Sequence, residues 1–118
     1  MHNYLELKVW QKARKLVKQI YQITNDFPHT EKYVLDAQIK RSAISISSNI
    51  AEGAGRETSK EFSRFLDIAS GSAFELESQI ILAMDLEFIN LKDGETLIND
   101  IKEIQKMING FKVSLNKS

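Results

Sequence analysis

Thr58-Ser59-Lys60-Glu61-Phe62-Ser63-Arg64-Phe65-Leu66-Asp67-Ile68-Ala69-Ser70-Gly71-Ser72-Ala73 is the stretch whose reading decides the fold. Thr58 and Glu61 have the spacing of a capping box, in which the hydroxyl accepts from the third backbone N–H and the carboxylate turns back to the cap residue. Directly after it, Phe62, Phe65, Leu66, Ala69, Ala73, Leu76, Ile80 and Met84 recur at three- and four-residue steps, the apolar stripe of one long helix. The pattern predicts a helix from Thr58 to near Asn90, ahead of Asp93-Gly94.

Upstream, Leu35, Ile39, Ala43, Ile46 and Ile50 mark a second helix, with Thr30 as its expected N-cap and Gly53 as a left-handed stop. From Leu7 to Thr24, the residues Val9, Trp10, Ala13, Leu16, Val17, Ile20, Tyr21 and Thr24 share one arc, while Lys8, Lys12, Lys15 and Gln19 take the opposite side. Pro28 ends that segment. Downstream, Leu97, Ile101, Ile104, Ile108, Phe111 and Leu115 stripe a helix from about Glu95 to Leu115. Four helices with short connections predict an all-α fold, an up-down-up-down four-helix bundle forming one domain over residues 1–118. Small residues gather in Ser42, Ala43, Ser45, Ser47, Ser48 and Ala51, and again in Ser70-Gly71-Ser72-Ala73. Serine and an interior glycine are weak helix formers, so a close helix crossing is expected, with Ala43 opposite Ala69.

Composition narrows the function classes. The chain has 118 residues, 16 basic and 16 acidic side chains and no cysteine, which removes thiolate and disulfide chemistry. No apolar run approaches the roughly 20 residues of a membrane span, and Met1-His2-Asn3-Tyr4 opens no signal-peptide core, so a cytoplasmic location is expected. The neutral total hides an asymmetry: residues 1–60 carry ten Lys/Arg and six Asp/Glu, and the remainder six and ten, giving halves of +4 and −4. These charges serve to pair the two halves or to pair one subunit with another.

Catalytic constellations do not assemble. His2, at a terminus expected to be mobile, and His29, in the loop after Pro28, are the only histidines, and neither lies on a helical stripe. Neither a Glu-x-x-His metal pair nor a Ser-His-Asp set is available, so no enzyme activity, cofactor, metal or small-molecule substrate is expected. The stretch Asn49 to Thr58 admits two readings, a tight structural corner or an anion site built on Arg56 and a helix N-terminus. Lys8, Lys12, Arg14, Lys15 and Lys18 form the main basic surface and, with Arg56, are the candidate contacts to RNA or DNA phosphates. Phe74, Ile81 and Phe88 recur at seven-residue spacing beside the main stripe, and Tyr33, Ala37 and Ile44 add a second row, surplus apolar surface that points to a subunit interface. Arg41, Ser45, Ser48 and Glu52 form a polar stripe between, with Arg41 and Glu52 expected to find partners across that boundary.

Leu7-x-Val9-Trp10-Gln11-x-Ala13, Ile20-Tyr21, Phe27-Pro28, Gln38-Ile39-x-Arg41-Ser42-Ala43, Ser45-Ile46, Asn49-Ile50-Ala51-Glu52-Gly53-x-Gly55-Arg56 and Phe65-Leu66-x-Ile68-Ala69-x-Gly71-Ser72 occur together, and in them the chain resembles the four-helix bundle proteins encoded in bacterial 23S ribosomal RNA intervening sequences. The resemblance implies a cytoplasmic bacterial protein, a ring-like homopentamer without established catalysis; the basic surface makes RNA or a ribonucleoprotein the expected partner. That family is similar to the accessory variability determinants of diversity-generating retroelements, which bind a reverse transcriptase and nucleic acid. A protein adaptor without nucleic-acid contact is therefore the competing expectation.

Overall fold

The computed structural model describes residues 1–117 and contains four helices, α1 (Lys8–Thr24), α2 (Leu35–Ala54), α3 (Ser59–Asp85) and α4 (Leu91–Asn116), with 3-10 turns at Tyr4–Glu6 and His29–Glu31. Among the described residues there is no strand. The packed pairs are α1 with α2, α2 with α3, α3 with α4 and α1 with α4, so the helices surround one shared core. Leu16, Ile20, Ile39, Ile46, Ile50, Phe62, Leu66, Leu76, Ile80, Leu97, Ile101 and Ile104 are its largest fully buried side chains, and each belongs to a stripe read from the sequence. Tyr21 leaves its predicted arc: it is exposed, with the Lys40 ammonium 4.9 Å from its ring centre. That ammonium also pairs with buried Asp36 at 2.8 Å.

The α2–α3 pair makes the closest approach. Ser45 Oγ and Ser72 Oγ share a hydrogen bond of 2.8 Å, and the Ser42 hydroxyl donates to Glu75 Oε1 at 3.3 Å. As the α2 number rises the α3 number falls, so these two helices run antiparallel. This register sets Ala43 level with Ala73, one turn beyond the expected Ala69. Gly53 explains the offset. It lies inside α2 with ordinary helical φ, and a Cβ there would stand 2.7 Å from Phe62 Cδ1 and 2.8 Å from Phe65 Cβ. The expected left-handed stop at Gly53 is thus wrong: the glycine is a seat for α3, and Gly55 ends the helix with φ −82.

Three boundaries also differ from the sequence reading. Thr30 sits in the His29–Glu31 turn, and α2 starts five residues later at Leu35 without a side-chain cap. At the other end of the molecule α3 stops at Asp85. Glu87 takes φ 63, the Phe88 N–H bonds to the Ala83 carbonyl at 2.9 Å and the Glu87 N–H to Met84 at 3.0 Å. This is a Schellman stop with glutamate where glycine is usual, which is why no helix-stop signal was visible. Asn90 then caps α4, accepting from the Asp93 N–H at 2.8 Å and donating to Asp93 Oδ2 at 2.9 Å. Asp93 and Gly94, expected in a loop, therefore lie in the first turn of α4, with Gly94 making room for the Met84 thioether.

The N-terminus is not loose. The His2 N–H donates to the Ala54 carbonyl at 2.8 Å, and its ring lies 5.2 Å from Phe62 and 5.8 Å from Phe111. The residues before α1 strap the end of the bundle where α2, α3 and α4 meet.

Two substitutions test this packing by thermal or denaturant unfolding. Gly53→Ala is expected to lower stability by roughly 1–3 kcal/mol, because Phe65 Cβ has no free torsion with which to retreat. Glu87→Gly is expected to raise it by about 0.5–1 kcal/mol through relief of the left-handed backbone.

Candidate nucleic-acid interface

Along α1 the cations divide into two groups. Lys12 Nζ lies 3.5 Å from Asp100 and 3.2 Å from Glu103 on α4, and the Gln19 amide donates to Asp100 at 3.5 Å. The side of α1 expected to face solvent at these positions is therefore a seam between α1 and α4, and the opposed charges of the two halves meet partly inside one chain. Lys12 is withdrawn from the candidate surface by its carboxylates. Lys8, Arg14, Lys15 and Lys18 remain exposed. They make no ion pair among the described residues and fan over about 120° of the helix circumference. The Arg14 guanidinium sits 5.6 Å from the Trp10 ring centre, which holds it over the helix surface.

The Asn49 to Thr58 corner is built from internal contacts. The Asn49 amide donates to the Ser45 carbonyl at 2.8 Å and to Ser45 Oγ at 3.1 Å, joining the Ser45–Ser72 bond between α2 and α3. Thr58 Oγ1 accepts from the Glu61 N–H at 3.1 Å and donates to Glu61 Oε1 at 3.2 Å, so the start of α3 is occupied by its own cap. Arg56 lies 4.7 Å over the Phe65 ring and 3.7 Å from Glu52 Oε1. Glu52 thus has a partner at its own helix end. Arg41 has no ion pair among the described residues.

The surplus apolar residues separate into distinct flanks. Phe88 leaves the expected row: it follows the end of α3 and packs against Phe27, ring centres 5.6 Å apart, beside the core. Phe74 and Ile81 are exposed on the flank of α3 toward α4. On the other flank Ile68 and Leu82, also exposed, stand seven residues to either side of Glu75, whose bond to Ser42 places this row along the edge of α2. Ile44 on α2 is exposed as well. Gly71 lies exposed near this row, and nothing comes within 4 Å of where its Cβ would be, so its helix penalty of about 1 kcal/mol is not offset by packing inside the chain. Sequence reading placed Gly71 in the α2 crossing; only Ser72 and Ala73 of that patch belong there.

No cluster of three potential metal ligands occurs among the described residues, and no described helix is long and apolar enough to cross a membrane. The molecule is a four-helix scaffold with a basic arc on α1 and unpartnered apolar flanks on α3. The chain belongs to the family of 23S rRNA-intervening sequence proteins, whose model matches residues 5–110. It is also similar to a solved structure of a protein of unknown function from the S23 ribosomal protein family of Bacteroides thetaiotaomicron. The two are 28% identical with a TM-score of 0.80, over 88% of this chain and 97% of that one. Among curated proteins none matches.

Proposed function

We propose that this protein is a non-catalytic, up-down-up-down helical scaffold that assembles into a ring-like homo-oligomer and binds RNA through the basic arc of α1. The observation that carries the RNA reading is the set Lys8, Arg14, Lys15 and Lys18, exposed on one arc and without an ion pair among the described residues while Lys12 is paired. Unpaired cations fanned over a helix suit a phosphate backbone and carry little base discrimination. The family's link to ribosomal RNA intervening sequences favours RNA as the acid bound.

The α2–α3 flank supports assembly. Ile68 and Leu82 are 43% and 49% exposed there, near the open surface at Gly71. A row of this kind favours burial against another subunit, and the small Gly71 surface suits a close backbone approach. In the pentamer implied by the sequence resemblance, the α1 arc is repeated around the ring, and avidity rises without a new contact.

Fluorescence anisotropy with a labelled RNA tests the first part. Replacing Lys8, Arg14, Lys15 and Lys18 with Gln is expected to weaken binding and to flatten the salt dependence by about 0.7 per lost contact in log K against log salt. Lys12→Gln is expected to leave RNA affinity unchanged. Light scattering tests the second: Ile68→Glu combined with Leu82→Glu should reduce the mass to that of the 13.5 kDa chain, and a native protein already at that mass overturns the assembly reading.

A further inference from the structure

The groove between α3 and α4 is a separate feature. It has a volume of about 430 Å³ and is lined by Phe74, Glu77, Lys102, Gln105, Lys106 and Asn109. Phe74 forms one wall and is 59% exposed, although it lies well inside a helix whose other phenylalanines, Phe62 and Phe65, are packed. Lys102 and Lys106 form the opposite wall, one helical turn apart on the same side of α4. Neither is in an ion pair among the described residues. The floor is fixed, because the Gln105 amide donates to Glu77 Oε1 at 2.9 Å, which also engages the one carboxylate that lines the groove. Beyond the floor the Lys112 ammonium is held by Asp67, a second tie between α3 and α4.

We propose that this groove is a stacking site for single-stranded nucleic acid, with a base on the face of Phe74 and successive phosphates on Lys102 and Lys106. An exposed ring opposite free cations is the pairing such strands require: every base offers a π-face to an aromatic side chain, and the backbone follows the positive charge without regard to sequence. Charge complementarity selects this occupant over an apolar helix, since one wall is two ammonium groups that make no ion pair among the described residues, against the single Glu77 carboxylate held by Gln105 in the floor. The site is distinct from the α1 arc, because Asp100 and Glu103 of α4 face α1 and lie between the two surfaces. The inference rests on the reading that the protein binds nucleic acid, and it assigns the stacking contact to a flank which that reading does not use.

The test is anisotropy of labelled twenty-residue oligouridine and oligothymidine strands against the full chain, with Phe74→Ala, Phe74→Trp, Lys102→Gln with Lys106→Gln, and the α1 variant described above. Phe74→Ala is expected to weaken single-strand binding roughly five- to a hundredfold without changing the salt dependence, since it removes stacking and no charge. The double lysine variant should instead flatten that dependence by about 1.4 in log K against log salt. Phe74→Trp should keep the affinity, and the strand should quench more indole fluorescence in this variant than in the native chain, whose one tryptophan is Trp10. Tighter binding of one strand that is lost in Phe74→Ala supports the site and assigns it to RNA or to DNA. Unchanged affinity in Phe74→Ala, with binding lost in the α1 variant, overturns the groove and leaves the α1 reading standing. Binding lost only in the groove variants supports the groove and overturns the α1 reading. A smaller assembly mass for Phe74→Ala in light scattering makes Phe74 a subunit contact and overturns the groove. No binding of either strand by the native chain overturns both.

Discussion

The close approach of α2 and α3 is the constraint on which the other features depend. It exists because the seam is made of hydrogen, methyl and hydroxymethyl groups: Gly53 beneath Phe62 and Phe65, Ala43 and Ala73 at one level, Ser45 bonded to Ser72. Two serine hydroxyls satisfy each other at the point where larger side chains would force the helices apart. A partly buried polar pair of this kind stabilises mainly because leaving either member unpaired would be costly, and so it fixes register more than it adds binding energy. Once that register is set, every α3 residue has its height along α2, and the exposed Ile68–Leu82 row borders α2 as a consequence.

Charge is arranged around this frame with a division of labour. Lys12 is spent inside the chain on Asp100 and Glu103, a partly exposed network worth at most about 1 kcal/mol per pair but effective in aligning α1 on α4. Lys40 is likewise held between Asp36 and Tyr21, and Arg56 between Glu52 and Phe65. Lys8, Arg14, Lys15 and Lys18 on α1 and Lys102 and Lys106 on α4 are among the cations that make no ion pair within the described residues, and so are available to an external anion. A net charge of zero is compatible with this, because Asp67, Asp100 and Glu103 pair with lysines across helices and leave other cations free.

The corner from Asn49 to Thr58 illustrates how a conspicuous motif can be explained by geometry. Asn49 ties α2 to the serine seam, Gly53 admits α3, Gly55 ends α2, and Thr58 with Glu61 starts α3. His2 then closes the same end from the N-terminal side. These residues each have a mechanical task in reversing the chain within a few residues, and the α3 N-terminus carries its own Thr58 cap.

What the sequence by itself determined was the set of helices and their buried stripes, because a 3.6-residue period survives in any context that buries one face, and the Thr58–Glu61 cap is a contact of neighbours. It did not determine the turn at Glu87, since a left-handed residue without glycine is invisible until the backbone is seen, nor the Asn90 cap, whose partner Asp93 read as part of a loop. The candidate site was legible only as composition: the lysines of α1 stand out in the sequence, but which of them is free depends on α4, some 90 positions away from Lys12. Likewise Phe74, Ile81 and Phe88 share a spacing and not a surroundings, for Phe88 meets Phe27 only after α3 has ended. Local periodicity fixes which face of a helix is apolar; tertiary packing alone decides which charges are cancelled and which rings remain uncovered, because both depend on residues brought near by the fold and not by the chain.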